Sequence, residues 1–279
     1  MATFTNQATL TYSGGTTNSN ITTGQLLEVL TASKTAVVPT YRTGRPITYL
    51  ITLINSGAAA LTGLTVTDDL GGYAFNGNTV YPLVYTAGSV RYYQDGVLQT
   101  APAVTAGPPL TITGISVPAG GSTVIAYEAE PTAFAPLGAE GSVVNTVTVT
   151  GGGLPDAVTA TETVAPVTGP VLTISKALSP TEVAANGQVT YTFVIQNSGN
   201  TVASAADSLV VTDVFSPILR DLTVTLDGTA LTAPTQYTYD AATVAGVITV
   251  PAASFTQDTA TGAYTVTPGT ATLTVTGTL

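Results

Sequence analysis

Apolar and polar positions alternate through much of this chain. Ile47, Tyr49, Ile51 and Leu53 alternate with Thr48, Leu50 and Thr52, and Val189, Tyr191, Phe193 and Ile195 alternate with Thr190 and Thr192. A period of two with one apolar face predicts half-buried β-strands. Thr, Val and Ile fill these stretches, as a pleated sheet favours. Breaks recur at Gly71-Gly72, Pro108-Pro109, Gly120-Gly121 and Gly151–Gly153, where turns are expected. Many short strands between such breaks predict an all-β chain of two tandem immunoglobulin-like β-sandwiches.

The pattern occurs twice. TASKTAVVP and TISKALSP carry the only two lysines, Lys34 and Lys176. In each copy a Tyr follows (Tyr49, Tyr191), then an Asn-Ser-Gly turn (Asn55, Asn197), then Val-Thr-Asp (Asp68, Asp213). Late in each copy VPAGGSTVIAYEA stands beside TPGTATLTVTGTL, which aligns Pro118 with Pro268 and Ala129 with Leu279. The first copy then closes with VVNTVTVT, containing Asn145, and the second has no such strand before Leu279. The expected boundaries are 1–26 for an N-terminal donor strand and linker, 27–150 for the first sandwich, 151–170 for a linker, and 171–279 for a second sandwich without its closing strand.

A matching strand stands at the other end of the chain. FTNQATLTY contains Asn6, and Phe4, Ala8, Leu10 and Tyr12 form its alternating face. On that register Ala8, Leu10 and Tyr12 take the places of Val147, Val149 and Gly151. The stretches from Asn6 to Lys34 and from Asn145 to Lys176 are similar in length and kind. The first therefore reads as a junction between domains whose preceding domain belongs to another subunit. Closure within one chain requires the strand to travel back along the first sandwich, at no more than about 3.3 Å per residue. Head-to-tail donation is simpler; it need not close, and it yields a filament. An incoming strand fills both an apolar slot and an unpaired sheet edge. The partner expected is the protein itself.

Composition narrows the field. Charged residues make up 8% of the chain and apolar residues 44%, against roughly 25% charged in average soluble proteins. That balance suits a packed or extracellular structural protein, and the expected location is extracellular or at a cell or spore surface. A net charge of -10 disfavours nucleic acid and anionic membrane surfaces as partners, and no apolar run is long enough for membrane insertion. No signal peptide is visible in MATFTNQATLTYSGG. Cys and His are absent, so disulfides, the usual transition-metal sites and Ser-His-Asp chemistry are excluded. No cofactor or metal is expected.

Lys, Asp and Asn recur in register, and together they are the ingredients of a spontaneous isopeptide bond. Burial lowers a lysine's pKa and frees its amine to attack. A neighbouring Asp can shuttle the proton and polarise an Asn carboxamide. The first sandwich would use Lys34, Asp68 (or the adjacent Asp69) and Asn145. The second would use Lys176 and Asp213 with Asn6 of the next subunit. This self-modification is the only catalysis expected, with Asp68 and Asp213 as proton shuttles.

These motifs resemble the bacterial surface repeat catalogued as domain of unknown function eleven. The resemblance rests on Ser33-Lys34, Thr48-Tyr49, Asn55-Ser56-Gly57, Val66-Thr67-Asp68 and Asn145-Thr146. The second copy matches at Ser175-Lys176, Thr190-Tyr191, Asn197-Ser198-Gly199 and Val211-Thr212-Asp213. It implies immunoglobulin-like sandwiches in surface proteins without enzymatic activity. The displaced closing strand departs from that pattern and points to a polymerising, pilus-like or spore-appendage-like subunit. An alternative is an adhesion or glycan-binding module using the tyrosines of GGYAFNGNTVYPLVY and VRYYQDG as stacking platforms. A glycosidase built on Glu128 and Glu130 is the remaining class, disfavoured because same-face strand neighbours usually meet solvent.

Overall fold

The computed structural model describes residues 2–26, 28–238 and 243–279. Leu27, the expected start of the first sandwich, lies outside the described residues. The chain is all-β; among the described residues the only helical turn is the 3-10 segment Ala205–Asp207. It divides into two compact units, 1–135 with 142–165 and 136–141 with 166–279.

In the first unit two sheets face each other. One runs in the order Val97–Leu98, Arg91–Gln94, Ser122–Pro131, Ile47–Asn55 and Leu30–Ala36. The last of these carries Lys34 and is called here the first lysine strand. The other sheet runs Ala103–Thr105, Leu110–Val117, Leu61–Asp68, Val143–Gly151, Val158–Pro166 and Thr40–Tyr41. Leu61–Asp68 is the first aspartate strand and Val143–Gly151 the closing strand. The alternation holds: Tyr49, Ile51, Leu53, Ile125 and Tyr127 face Leu64, Val66, Val147 and Val149 in a buried core. Fully burying one such side chain stabilises the fold by about 1.5–3 kcal/mol.

The stretch 151–170, expected to be a linker, contains a nine-residue strand. Val158–Pro166 pairs with the closing strand from Val143↔Val164 to Val149↔Val158. Its TATETVA alternation is a strand pattern, and Gly151–Gly153, taken as a boundary, turns a hairpin instead; all three glycines have positive φ. The N-terminal linker is corrected likewise. Ala2–Asn6 pairs with Thr22–Leu26, and Thr9–Tyr12 pairs with Gly15–Asn18. The segment 2–26 is thus a single long hairpin, exposed wherever its side chains are described apart from half-buried Gly24.

The second unit repeats only part of this plan. Its larger sheet runs Leu172–Ser179, Gln188–Asn197, Gly269–Thr278, Arg220–Leu226 and Thr229–Ala230, with Leu172–Ser179 as the second lysine strand. Facing it is a small sheet, Val210–Val211, Thr243–Ala245 and Tyr237–Thr238, with Val210–Val211 as the second aspartate strand. Phe193, Ile195, Val224, Val244, Leu273 and Val275 form the core. Gly277 pairs with Val189 as Ala129 pairs with Ile47. The counterpart of Ala129 is therefore Gly277, two residues before the expected Leu279. The turn after Pro268 is shorter than the Ala119-Gly120-Gly121 turn after Pro118, which accounts for the shift.

Candidate cross-linking site

The first lysine strand and the first aspartate strand belong to opposite sheets, and their side chains meet inside the sandwich. Lys34 Nζ lies 2.6 Å from Asp68 Oδ2, with both side chains almost wholly buried (0% and 1% exposed). The Tyr127 hydroxyl donates to the same Asp68 oxygen at 2.5 Å, and Asn145 Nδ2 donates to that hydroxyl at 3.1 Å. Lys34, Asp68, Tyr127 and Asn145 thus form one buried polar chain across the core. Asp68 Oδ1 also accepts from the Leu70 amide at 3.0 Å, which fixes the carboxylate. Asp69 does different work. Its Oδ1 accepts from the Gly71 and Thr146 amides, holding the turn and the closing strand beside Asn145.

Electrostatics follow from burial. Removal from water pushes the Lys34 amine below its ordinary value, against the opposing attraction of Asp68. Burial pushes the Tyr127 phenol well up, with Asp68 adding to the effect. The Tyr49 phenol is raised for the same first reason, and the Asn145 carboxamide opposes it. Tyr49 and Tyr127 stack with ring centroids 5.5 Å apart, and the lysine nitrogen lies 5.0 Å from the Tyr49 centroid. Asn145 Oδ1 and the Tyr49 hydroxyl are both buried without a complete hydrogen bond. An unmet buried acceptor costs about 1–3 kcal/mol, so this carboxamide oxygen is left poised for a donor.

In the second unit the same pair forms in the open. Lys176 Nζ lies 2.6 Å from Asp213 Oδ2, but the lysine side chain is 41% exposed. Tyr191, Phe193 and Phe215 surround its nitrogen on one side. Its strand is exposed throughout; Leu172 is 40% exposed where its counterpart Leu30 is 5%. Tyr127 has no equivalent, because Val275 pairs with Tyr191 as Tyr127 pairs with Tyr49.

The openness has a specific place. In the first unit the closing strand pairs with the aspartate strand, Val147↔Asp68 to Gly151↔Leu64. In the second unit Val210–Val211 pairs with Thr243–Ala245 on one edge, and no described strand occupies the other. A groove of about 610 Å³ lies there, lined by Leu172, Ile174, Ile195, Leu209, Val211 and Ile248. Asn6, Phe4, Ala8, Leu10 and Tyr12 lie on the exposed N-terminal hairpin, and none of them is brought to this groove within the described contacts.

Tyr127 escaped the sequence reading. Its strand alternates as an apolar strand should, and only the non-local pairing with Tyr49 brings its hydroxyl to Asp68. The Asn-Ser-Gly motif has a structural role. Asn55 and Asn197 are buried, accept from the Gly57 and Gly199 amides, and donate to neighbouring carbonyls. The tyrosines considered as sugar platforms are packed or partly packed. Tyr85 and Tyr92 are buried, Tyr92 donates to the Ser116 carbonyl and Tyr73 to that of Phe134.

No family model and no curated protein matches this chain, so the repeat resemblance drawn from its motifs finds no matching family model. Several solved structures are similar. The pilus backbone protein RrgB from Streptococcus pneumoniae is 14% identical, TM-score 0.36, over 86% of this chain and 55% of that one. A C-terminal fragment of a major pilin of Streptococcus agalactiae is 11% identical, TM-score 0.38, over 79% and 80%. The major pilin BcpA of Bacillus cereus is 11% identical, TM-score 0.37, over 96% and 73%. Among the described residues no helix is long and apolar enough to cross a membrane.

Proposed function

We propose that this protein is the structural subunit of an extracellular or surface filament, assembled head-to-tail from copies of itself. The N-terminal segment of one copy fills the second unit of the next. The vacant edge beside Val210–Val211 carries this reading, because the first unit holds its closing strand in the corresponding place. On docking, Leu10 and Ala8 cover Leu172, Ile174 and Val211, and Asn6 joins Lys176 and Asp213 as Asn145 joins Lys34 and Asp68 in the first unit's polar chain.

Isopeptide bonds lock both units. In the first, Asp68 takes a proton from the Lys34 ammonium, and the neutral Nζ attacks Asn145 Cγ. The C–N bond forms, the tetrahedral oxyanion faces the Tyr49 hydroxyl, and Asp68 returns the proton to the departing nitrogen. As the bond to the departing nitrogen breaks, Asp68 takes the second Nζ proton and passes it to the released ammonia, which leaves as ammonium, and the Asp68 carboxylate is regenerated. Lys176, Asp213 and Asn6 of the neighbouring copy carry out the same exchange between chains.

The between-chain bond is tested by replacing Lys176 with Ala. Filaments of this variant should fall to single chains on boiling in detergent, whereas filaments of the unaltered protein remain as a ladder. A ladder from the Lys176→Ala protein would reject the bond.

Two further outcomes follow from the buried chain of groups. Tyr127→Phe removes the donor to Asp68 and the acceptor for Asn145, and should slow the internal bond roughly ten- to a hundredfold. Intact mass during refolding, followed for loss of one ammonia, reads that rate. The internal reaction should also slow at high pH. It starts from the protonated Lys34–Asp68 pair, whose proton Asp68 carries to the departing nitrogen; the folded Lys34 pKa lies below the ordinary 10.5, and as pH climbs through that lowered value the pair loses this proton. A rate that keeps rising over the alkaline range would contradict the shuttle role of Asp68.

A further inference from the structure

The donor reading above leaves open what is donated, a single strand or a larger piece. On that reading, we infer that the donated unit is the whole hairpin 2–26, docked as two strands into a second copy of this chain. The first unit supplies the template. Its closing strand does not enter alone: Val158–Pro166 pairs along it and then neighbours Thr40–Tyr41. Val143 and Val164, opposite each other on the two strands, are both buried. Glu162, opposite Asn145, reaches across so that its Oε1 accepts from the Ala36 amide on the lysine strand at 3.1 Å. Two lanes, not one, complete the sandwich.

Among the described residues both lanes are vacant in the second unit. Beyond the free edge of Val210–Val211, residues 181–186 follow the second lysine strand as Thr40–Tyr41 follow the first. They are exposed and form no strand, although Tyr41 is buried in the first unit. A single inserted strand leaves them uncovered.

The N-terminal segment is already built as the matching pair. Asn6↔Thr22 stands where Asn145↔Glu162 stands, and Tyr12 and Gly151 each lie six residues beyond the Asn, at the hairpin turn. The pairing runs Asn6↔Thr22 and then Thr9↔Asn18, so the returning strand holds one extra residue between them. Ser19 absorbs it, its hydroxyl accepting from the Ala8 amide while its own amide donates to the Ala8 carbonyl. The irregularity thus sits on the returning strand. Asn6, Ala8, Leu10 and Tyr12 keep their alternation and present a regular outer edge to Val210–Val211.

A staple across the hairpin separates the two modes. Thr11 and Thr16 are paired, with hydroxyls 3.4 Å apart, and they lie on the threonine face away from Leu10 and Tyr12. The chain has no cysteine of its own, so Thr11→Cys with Thr16→Cys introduces one disulfide at an adjacent cross-strand pair. If the hairpin docks intact, the oxidised variant forms filaments to the same extent as the unaltered chain. Filaments from the reduced variant but not the oxidised one would overturn the inference while leaving donation standing. Absence of filaments from the unaltered chain would overturn donation itself, and the inference with it. Should the double variant assemble in neither redox state, hydrogen exchange on unaltered filaments decides. Outward amides of Thr22–Leu26 protected on assembly support the paired hairpin, and amides left exchanging as in the free subunit reject it.

Discussion

Replacing Leu10 with Asp should leave the protein as a folded single subunit that forms no filaments. Leu10 is exposed in the free hairpin, so the change costs the subunit little. In the proposed docking, the same position enters the groove lined by Leu172, Ile174, Ile195 and Val211. Losing a buried leucine forfeits about 1.5–3 kcal/mol, and an unpaired carboxylate in an apolar site costs several more. Each 1.4 kcal/mol is tenfold in affinity, so subunit association should weaken by roughly a thousandfold or more. Circular dichroism should remain that of the unaltered subunit, while negative-stain microscopy shows no fibres. Normal fibres from Leu10→Asp would mean that this face of the hairpin does not dock.

The second large effect lies in the first unit. Asp68→Ala should prevent the proposed internal bond, leaving the chain heavier by the retained ammonia, and should lower the unit's stability by about 3–5 kcal/mol. The magnitude follows from burial. Lys34 loses the anion it is hydrogen-bonded to in a buried site, and the Leu70 amide and Tyr127 hydroxyl lose their acceptor. Asp68→Asn keeps the shape and an acceptor for Leu70 but cannot take the lysine proton, so it separates lost chemistry from lost structure. The corresponding Asp213→Ala change in the free subunit should cost no more than about 1 kcal/mol, because the Lys176 pair is open to solvent. That asymmetry is expected to vanish once the second unit is filled.

Much of the fold was legible in the chain. Alternation placed the strands around Tyr49 and Tyr191, and the in-register Lys and Val-Thr-Asp motifs marked two side chains that meet at 2.6 Å in both copies. The hairpins were harder to see. Gly151–Gly153 reads as the start of a linker between domains, yet a hairpin turn and a linker draw on the same residues. Only pairing distinguishes them, and pairing is non-local. Tyr127 was missed for a related reason. Nothing in VIAYEA marks its hydroxyl as polar machinery until its strand is set beside Ile47–Asn55 and across from Asp68. The difference in burial between Lys34 and Lys176 likewise depends on whether a neighbouring lane is occupied, which no local pattern records.

In the proposed filament the N-terminal hairpin of one copy completes the second unit of another. A direct test compares the full chain with one lacking residues 1–26, each boiled in detergent, run on a gel, and digested for mass spectrometry of linked peptides. The full chain should give a ladder and a peptide joining Lys176 to Asn6 with loss of ammonia, and the shortened chain a single band. A single band from both proteins, with no fibres in the microscope, would contradict this assembly.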